Sequence, residues 1–385
     1  MDFCFHFVNE SVIIYVYGCV PFKLTFRRIT MKKLLSALLV VAMLLMGAAA
    51  FAEDTFEIAL VTDVGNIDDQ SFNQSAWEGV VEFAEANGYT KAYYRPSEDS
   101  TTARMESIKT AVEKGAKVIV CPGYLFEEAI YNVQDEYPEV NFLLLDGEPH
   151  NADYSDYKTG SNVHNILYQE EQAGYLAGYA AVKDGYTKLG FLGGMAVPAV
   201  IRYGYGFVQG ADAAAAEMNE QIEIKYWYCG AFSPSDDIKV KMSGWYSEGT
   251  EVVFSCGGGI YLSACAAAEE AGAKVIGVDV DQYYVSDTVI TSAMKELKHS
   301  VVLALTDLYA NDCVWPEAYA GTTATLGAAD NCVGLPTADT SWRLNTFTVE
   351  EYEQLFEAIK SGEIVVSNDT TEAPAVTNST VDYQE

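Results

Sequence analysis

Carboxylates, an aromatic ring and glycine runs recur in this chain where short apolar runs end. The first such run, Phe56–Val61, leads into Thr62-Asp63-Val64-Gly65-Asn66-Ile67-Asp68-Asp69-Gln70-Ser71-Phe72-Asn73. Later runs end in Asp146-Gly147, Gly193-Gly194-Met195, Gly230-Ala231-Phe232, Cys256-Gly257-Gly258-Gly259 and Asp279-Val280-Asp281-Gln282. A carboxylate at such a point can accept two hydrogen bonds from a sugar diol, each charge-assisted bond being worth about 1.5–3 kcal/mol. A ring at a helix start, as at Phe72, can stack on a flat base for about 1–3 kcal/mol. Glycine lets the backbone itself approach a ligand. Taken singly, Asp63 or Asp279 could equally cap a following helix; their recurrence at strand ends in two series favours a ligand.

The elements that would position these groups read as alternating strands and helices. Strands are expected at 56–61, 92–94, 117–121 and 141–146, with helices at 71–87, 101–114 and 125–136 between them. Ser71 is placed to cap the first helix and Gly88 to stop it. A second series puts strands at 189–192, 222–228, 252–255, 275–278 and 288–292, separated by helices near 200–219, 236–248 and 260–271 and followed by one near 295–310. Alternation of this kind argues an α/β chain of parallel sheets covered by helices. In such sheets, ligands sit beyond the carboxyl ends of the strands.

At 385 residues the chain suits two domains, and with half its residues apolar it is globular. A formal charge of −32, from 23 basic against 55 acidic side chains, argues against nucleic acid or anionic lipid as a partner. Residues 31–52, MKKLLSALLVVAMLLMGAAAFA, have the basic start, apolar centre and Ala-x-Ala end of a secretory signal. Residues 1–30 are then read as an extension upstream of the true start at Met31, and no lipid-attachment Cys follows the signal. From Glu53 onward there are six Cys, of which Cys313 and Cys332 are the most plausible disulfide couple in an exported chain. No Cys pair has zinc or redox spacing and only four His are present, so neither a metal nor a cofactor is expected.

The stretch ALVTDVGNIDDQSFNQSAWEGV (59–80) resembles the opening signature of the basic membrane protein family of substrate-binding proteins, whose best-described type is a purine nucleoside receptor of an import system. The resemblance continues through QEEQAGYLAGYAAV (169–182), KLGFLGGMAVPAVIRYGYGFVQGA (188–211), VIGVDVDQ (275–282) and TSAMK (291–295). It implies the type I periplasmic-binding-protein fold, two Rossmann-like lobes joined by a multi-strand hinge. Expected boundaries are 53–160 with about 290–330 for the first lobe, 161–289 with about 331–366 for the second, and 367–385 for a frayed polar tail, with hinge strands near 160–164 and 285–290.

Carried over position by position, the resemblance has Asp63 and Asn73 hydrogen-bonding the base or its ribose and Phe72 stacking on the base. Asp279 would take the ribose hydroxyls, and Lys295 would support that carboxylate or a hydroxyl. Gly257 and Gly258 match the family's ligand loop, and a second stacking ring is expected at Phe232, with Tyr203 the lesser choice. Asp146 joins the set as a strand-end carboxylate. The implied protein is a non-enzymatic, extracytoplasmic, monomeric receptor that hands a nucleoside to the membrane subunits of an ABC importer. Two departures stand out: Ala52-Glu53 replaces the usual anchoring Cys, and Cys-Gly-Gly-Gly replaces the usual Gly-Gly-Thr-Gly.

Other readings come from the same residues. TDVGNIDD superficially resembles the calcium-binding Asp cluster of nucleoside hydrolases. That pattern needs an Asp where Val61 stands, and Asn66-Ile67 displace the paired Asp, so a tight Ca²⁺ shell is not expected; Asp68 and Asp69 read instead as a solvated turn favouring the helix start. A receptor of the same fold for another flat or sugar-like ligand, such as riboflavin, and a sensor rather than a transporter, remain alternatives.

Overall fold

Runs such as Ile58-Ala59-Leu60-Val61 carry no polar face, and a strand of that kind is stable only when helices cover both sides of its sheet. The computed structural model describes the backbone of residues 4–8 and 11–15 and the whole of residues 55–385. Near the start, β1 (Cys4–Val8) pairs antiparallel with β2 (Ser11–Tyr15). The expected signal at 31–52 and its cleavage site lie outside the described residues.

From Thr55 the chain builds two sheets. In the first, β3 (Ile58–Val61), β4 (Lys91–Tyr94), β5 (Val118–Pro122), β6 (Asn141–Leu145), β7 (Val163–Tyr168) and β13 (Thr322–Leu326) run parallel in the order β13-β7-β6-β5-β3-β4. In the second, β8 (Lys188–Gly193), β9 (Ile222–Tyr228), β10 (Val252–Cys256), β11 (Lys274–Asp279), β12 (Val289–Lys295), β14 (Val333–Gly334) and β15 (Ser379–Gln384) take the order β14-β12-β11-β10-β8-β9-β15, with only β14 antiparallel. Each sheet forms one lobe.

Three segments cross between lobes: Tyr168–Glu170, Lys295–Leu297 and Leu326–Val333. They lie several residues beyond the hinge positions expected from sequence. The reason is pairing: β7 aligns Val163 with Phe142 of the first sheet, and β12 aligns Ile276 with Thr291 of the second, so each strand is completed before the chain leaves its lobe. Accordingly β7 belongs to the first lobe and β12 to the second.

The C-terminus also differs from the expected frayed tail. Ser379–Gln384 is an edge strand parallel to β9, with Tyr383 packed on Tyr226 and Trp245 donating from its indole Nε1 to Gln384 Oε1 at 3.0 Å. Nor do the six cysteines from Glu53 onward pair. All six are free thiols: Cys313 lies in the first lobe beside Asn141, whereas Cys332 sits on the third crossing with its thiol towards the Asp330 carbonyl.

Two second-lobe helices, Glu170–Lys183 and Pro198–Met218, touch backbone to backbone. A methyl group at Gly174 would lie 2.0 Å from the Tyr203 carbonyl oxygen, and one at Gly206 would lie 1.9 Å from that of Glu171. Only glycine permits this approach, and it fixes Glu170, Arg202 and Tyr203 at the base of the cleft.

Candidate functional site

The helix Phe72–Asn87 starts beyond β3, and its N-terminus shapes one wall of the cleft. The expected cap, Ser71, does not cap it. Asp69 does: its carboxylate accepts from the backbone N–H groups of Ser71, Asn73 and Gln74 at 2.9–3.0 Å. The Ser71 hydroxyl is thereby left to donate across the cleft to Asp279 Oδ2 at 2.5 Å. Gly88 ends the helix at φ +76° as expected.

Asn73 is locked between two carboxylates, donating to Asp63 Oδ1 (2.9 Å) and Asp69 Oδ2 (3.0 Å) and accepting from the Asp63 N–H (3.2 Å). Asp63 Oδ1 also accepts from Gly65 N–H at 2.6 Å. Burial pushes the Asp63 carboxyl up to about 6 despite these donors.

Asp146 and Asp279 occupy matching places just beyond β6 and at the end of β11. Both adopt left-handed backbone, with φ of 61° and 64°, a conformation that Asp and Asn tolerate better than bulkier residues. Burial raises both carboxyls, Asp146 to about 7, against the pull of Lys295.

Lys295 is the last residue of β12, at the second crossing, rather than in the following helix. It is 2% exposed. Its ammonium donates to Asp146 Oδ2 at 2.5 Å and Glu170 Oε1 at 3.2 Å, while Arg202 Nε donates to Glu170 Oε2 at 2.6 Å. Burial opposes these charges, but they offset one another: Arg202 and Lys295 hold Glu170 below its ordinary value, and Asp146, Glu170 and Asp279 hold Lys295 well above its own. The expected support of Asp279 by Lys295 is therefore through charge, its hydrogen bonds going to Asp146 and Glu170. The ammonium also faces the rings of Phe72 (4.9 Å) and Tyr203 (5.7 Å).

From the second lobe, Phe232 packs against the glycine loop. A methyl group at Gly194 would meet its ring at 2.5 Å and one at Gly257 at 3.0 Å, and Gly257 and Gly258 have φ of +148° and +49°. Gln282 closes the far side, donating from Nε2 to the Gln70 carbonyl at 2.9 Å, and the Tyr261 hydroxyl donates to Gln70 Oε1 at 3.4 Å.

All nine residues named from sequence (Asp63, Phe72, Asn73, Asp146, Phe232, Gly257, Gly258, Asp279 and Lys295) line this one cleft, with about 720 Å³ of space not filled by protein, part of it open to solvent. Asp69 favours the helix start as expected, but as a largely buried cap rather than part of a solvated turn; sequence reasoning missed the bond from Ser71 to Asp279 and the buried partners Glu170 and Arg202. Glu170 and Arg202 both stood in stretches already singled out, QEEQAGYLAGYAAV and KLGFLGGMAVPAVIRYGYGFVQGA, but without roles of their own.

The family described as ABC transporter substrate-binding protein, PnrA-like, matches residues 56–370. Among curated relatives, the ABC transporter nucleoside-binding protein BmpA of Lactococcus lactis subsp. cremoris is 29% identical over 276 residues, covering 65% of this chain and 74% of that protein. A CD4+ T-cell-stimulating antigen of Listeria monocytogenes is 33% identical over 239 residues, covering 59% and 64%. A solute-binding protein of an ABC transporter system from Aeropyrum pernix K1 superposes with a TM-score of 0.68 at 23% identity, covering 82% of this chain and 94% of that one. The two-lobed architecture is the type I periplasmic-binding-protein fold.

Proposed function

Because this chain belongs to the PnrA-like family of ABC transporter substrate-binding proteins, we propose that its cleft captures an intact, uncharged nucleoside, with purines preferred, and presents it to a membrane importer. The observation that carries this reading is the union in one cleft of strand-end carboxylates from both lobes, Asp63 and Asp146 facing Asp279, with rings from both lobes, Phe72 and Phe232. The base stacks on the rings and the Asp63–Asn73 edge reads its polar groups. Asp279 accepts from the ribose hydroxyls. The relative from Lactococcus lactis, named as a nucleoside-binding protein, supports the same ligand class.

The charges of the cleft set what can enter. Asp63, Asp69, Asp146 and Asp279 line it with a single ammonium, Lys295, already paired to Asp146 and Glu170. A phosphate would meet like charge without a free cation to offset it, so nucleotides are rejected. Hydrolysis is not the reading: Asp63 and Asp69 are engaged by the Asn73 amide and by helix N–H groups, not arranged around a shared centre.

Binding favours closure because each lobe supplies half of the contacts, and the three crossings absorb the motion. Importer subunits recognise the closed form, in an extracytoplasmic setting and with the receptor acting as a monomer. Micromolar affinity corresponds to about −8 kcal/mol, within reach of one stacked base and several polar contacts. Calorimetry of residues 53–385 against nucleosides, nucleotides, free bases and riboflavin, with products assayed afterwards, tests the reading. Saturable nucleoside binding with intact ligand recovered supports it; released base, or binding to none of the nucleosides, defeats it.

A further inference from the structure

Two cleft-lining residues carry a buried polar side-chain atom without a hydrogen-bond partner among the described residues: Asp146, through Oδ1, and Tyr203, through its hydroxyl. The side chains are themselves buried, at 7% and 2% exposure. Native interiors leave few such atoms unpaired, and two flank the same ammonium here. Lys295 holds the other Asp146 oxygen at 2.5 Å and sits 5.7 Å from the Tyr203 ring centre. Tyr203 cannot readily turn its hydroxyl elsewhere. Its ring stands edge-on to Phe254 (5.9 Å, 81°), and its backbone is pinned where the Gly174 helix touches it.

The two atoms differ in what they ask of a partner. A carboxylate oxygen only accepts; a phenol both donates and accepts. Burial and the neighbouring Asp279 and Glu170 charges keep the Tyr203 phenol protonated. A single ligand atom that both donates to the one and accepts from the other is a hydroxyl oxygen. A carbonyl could serve only Tyr203, and an ammonium could serve Asp146 but not accept from the phenol.

We propose that Tyr203 and Asp146 form a subsite that selects a hydroxyl group on the ligand, the hydroxyl donating to Asp146 Oδ1 and accepting from the Tyr203 phenol. This deepens the nucleoside reading, and rests on it only for which molecule carries the hydroxyl. Tyr203 thus acts through its polar tip, rather than as the stacking ring considered from sequence.

The test compares Tyr203→Phe with the unaltered protein on ligands with and without hydroxyls: inosine against 5′-deoxyinosine and 2′,3′-dideoxyinosine, and riboflavin against lumichrome, which keeps the ring and lacks the hydroxylated chain. The variant should bind the hydroxylated member about tenfold more weakly and leave unchanged the analogue that lacks the recognised hydroxyl. Unliganded, it should melt at the same temperature or higher, since an unpaired buried hydroxyl has been removed. Equal loss on inosine and both of its deoxy analogues, no loss on any hydroxylated ligand that binds, or a lower melting temperature without ligand overturns the subsite. If inosine fails to bind but riboflavin shows the selective loss, the nucleoside reading falls and the subsite stands; failure of both hydroxylated probes to bind overturns the subsite as well.

Discussion

Ser71 and Asp279, 208 positions apart in sequence, share a hydrogen bond of 2.5 Å from the serine hydroxyl to the carboxylate, joining the two lobes across the mouth of the cleft. Next to it, Gln282 donates to the carbonyl of Gln70, whose φ is +53°. Lobe closure therefore has protein contacts of its own, independent of the ligand. Ser71→Ala should speed ligand release about five- to tenfold, in line with one lost hydrogen bond, and leave the association rate within twofold. Stopped-flow fluorescence separates the two rates; an unchanged release rate would mean that this contact does not hold the lobes.

Asp279 is the sharper probe of the ligand. Its left-handed backbone makes Asn the suitable replacement, because Asn tolerates φ near +64° where Ala would strain. Asp279→Asn should weaken nucleoside binding about 10- to 100-fold while thermal melting moves by no more than a few degrees. Retained affinity in calorimetry would show that the ribose lies elsewhere.

The raised Asp63 carboxyl makes opposite predictions for stability and affinity. Its value is about 6 in the folded chain against an ordinary 3.8, the cause being burial. Between those values the folded state binds more protons than the unfolded one. Its contribution to stability is therefore greatest at and below pH 3.8, and declines as pH rises through about 6. The ionised form is the better acceptor for a base N–H, so affinity should rise over the upper part of that window. Calorimetry and melting curves from pH 5 to 8 on the unaltered protein and on Asp63→Asn check this; the variant should flatten both slopes, and parallel slopes in the two proteins would assign them to other groups.

Gly206→Ala should be among the most damaging single-methyl changes, because the added carbon would lie 1.9 Å from the Glu171 carbonyl oxygen. Forcing these helices apart should destabilise the second lobe by about 1–3 kcal/mol or more and displace Arg202 and Tyr203. Denaturant melts should show the loss; a variant as stable as the parent would contradict the close approach.

Removal of residues 368–385 strips β15 from the second sheet, exposing β9 and freeing Trp245 from Gln384. A fall in melting temperature of about 5 °C or more is expected, and an unchanged melt would return the segment to the status of a tail.

Strands that are wholly or almost wholly apolar, such as Ile58–Val61 and Asn141–Leu145 with its Phe-Leu-Leu-Leu run, were legible because a buried parallel strand has no polar face to conceal it. The strands that escaped notice were mixed ones at or near sheet edges. Val163–Tyr168, expected only as a hinge strand near 160–164, includes His and Asn, three of the five residues of Thr322–Leu326 are threonine, and Ser379–Gln384 largely alternates polar with apolar, so none declares its place in a sheet until a neighbouring strand is known. Chain order likewise does not say which sheet a strand joins, which is why the crossings were expected too early. In the site, residues at strand ends were legible because topology puts them at the cleft. The partners that orient them were not: Lys295 meets Asp146 and Glu170 over separations of 149 and 125 residues, and no local pattern encodes such a meeting. The glycine pairs Gly174/Gly178 and Gly206/Gly210 did carry a signal in their spacing of four, which places each pair along one helix face.

The three crossings have a mechanical meaning. Two bodies tied at a single point can swing, twist and slide, whereas three roughly side-by-side tethers suppress twisting and sliding and leave one angle free. Since Lys295 lies on one of those tethers and Glu170 on another, the floor of the cleft is also the axle about which the lobes turn. A group settling on that floor touches the parts that set the angle, and the separation between one pair of points on the lobe tips would track the whole motion.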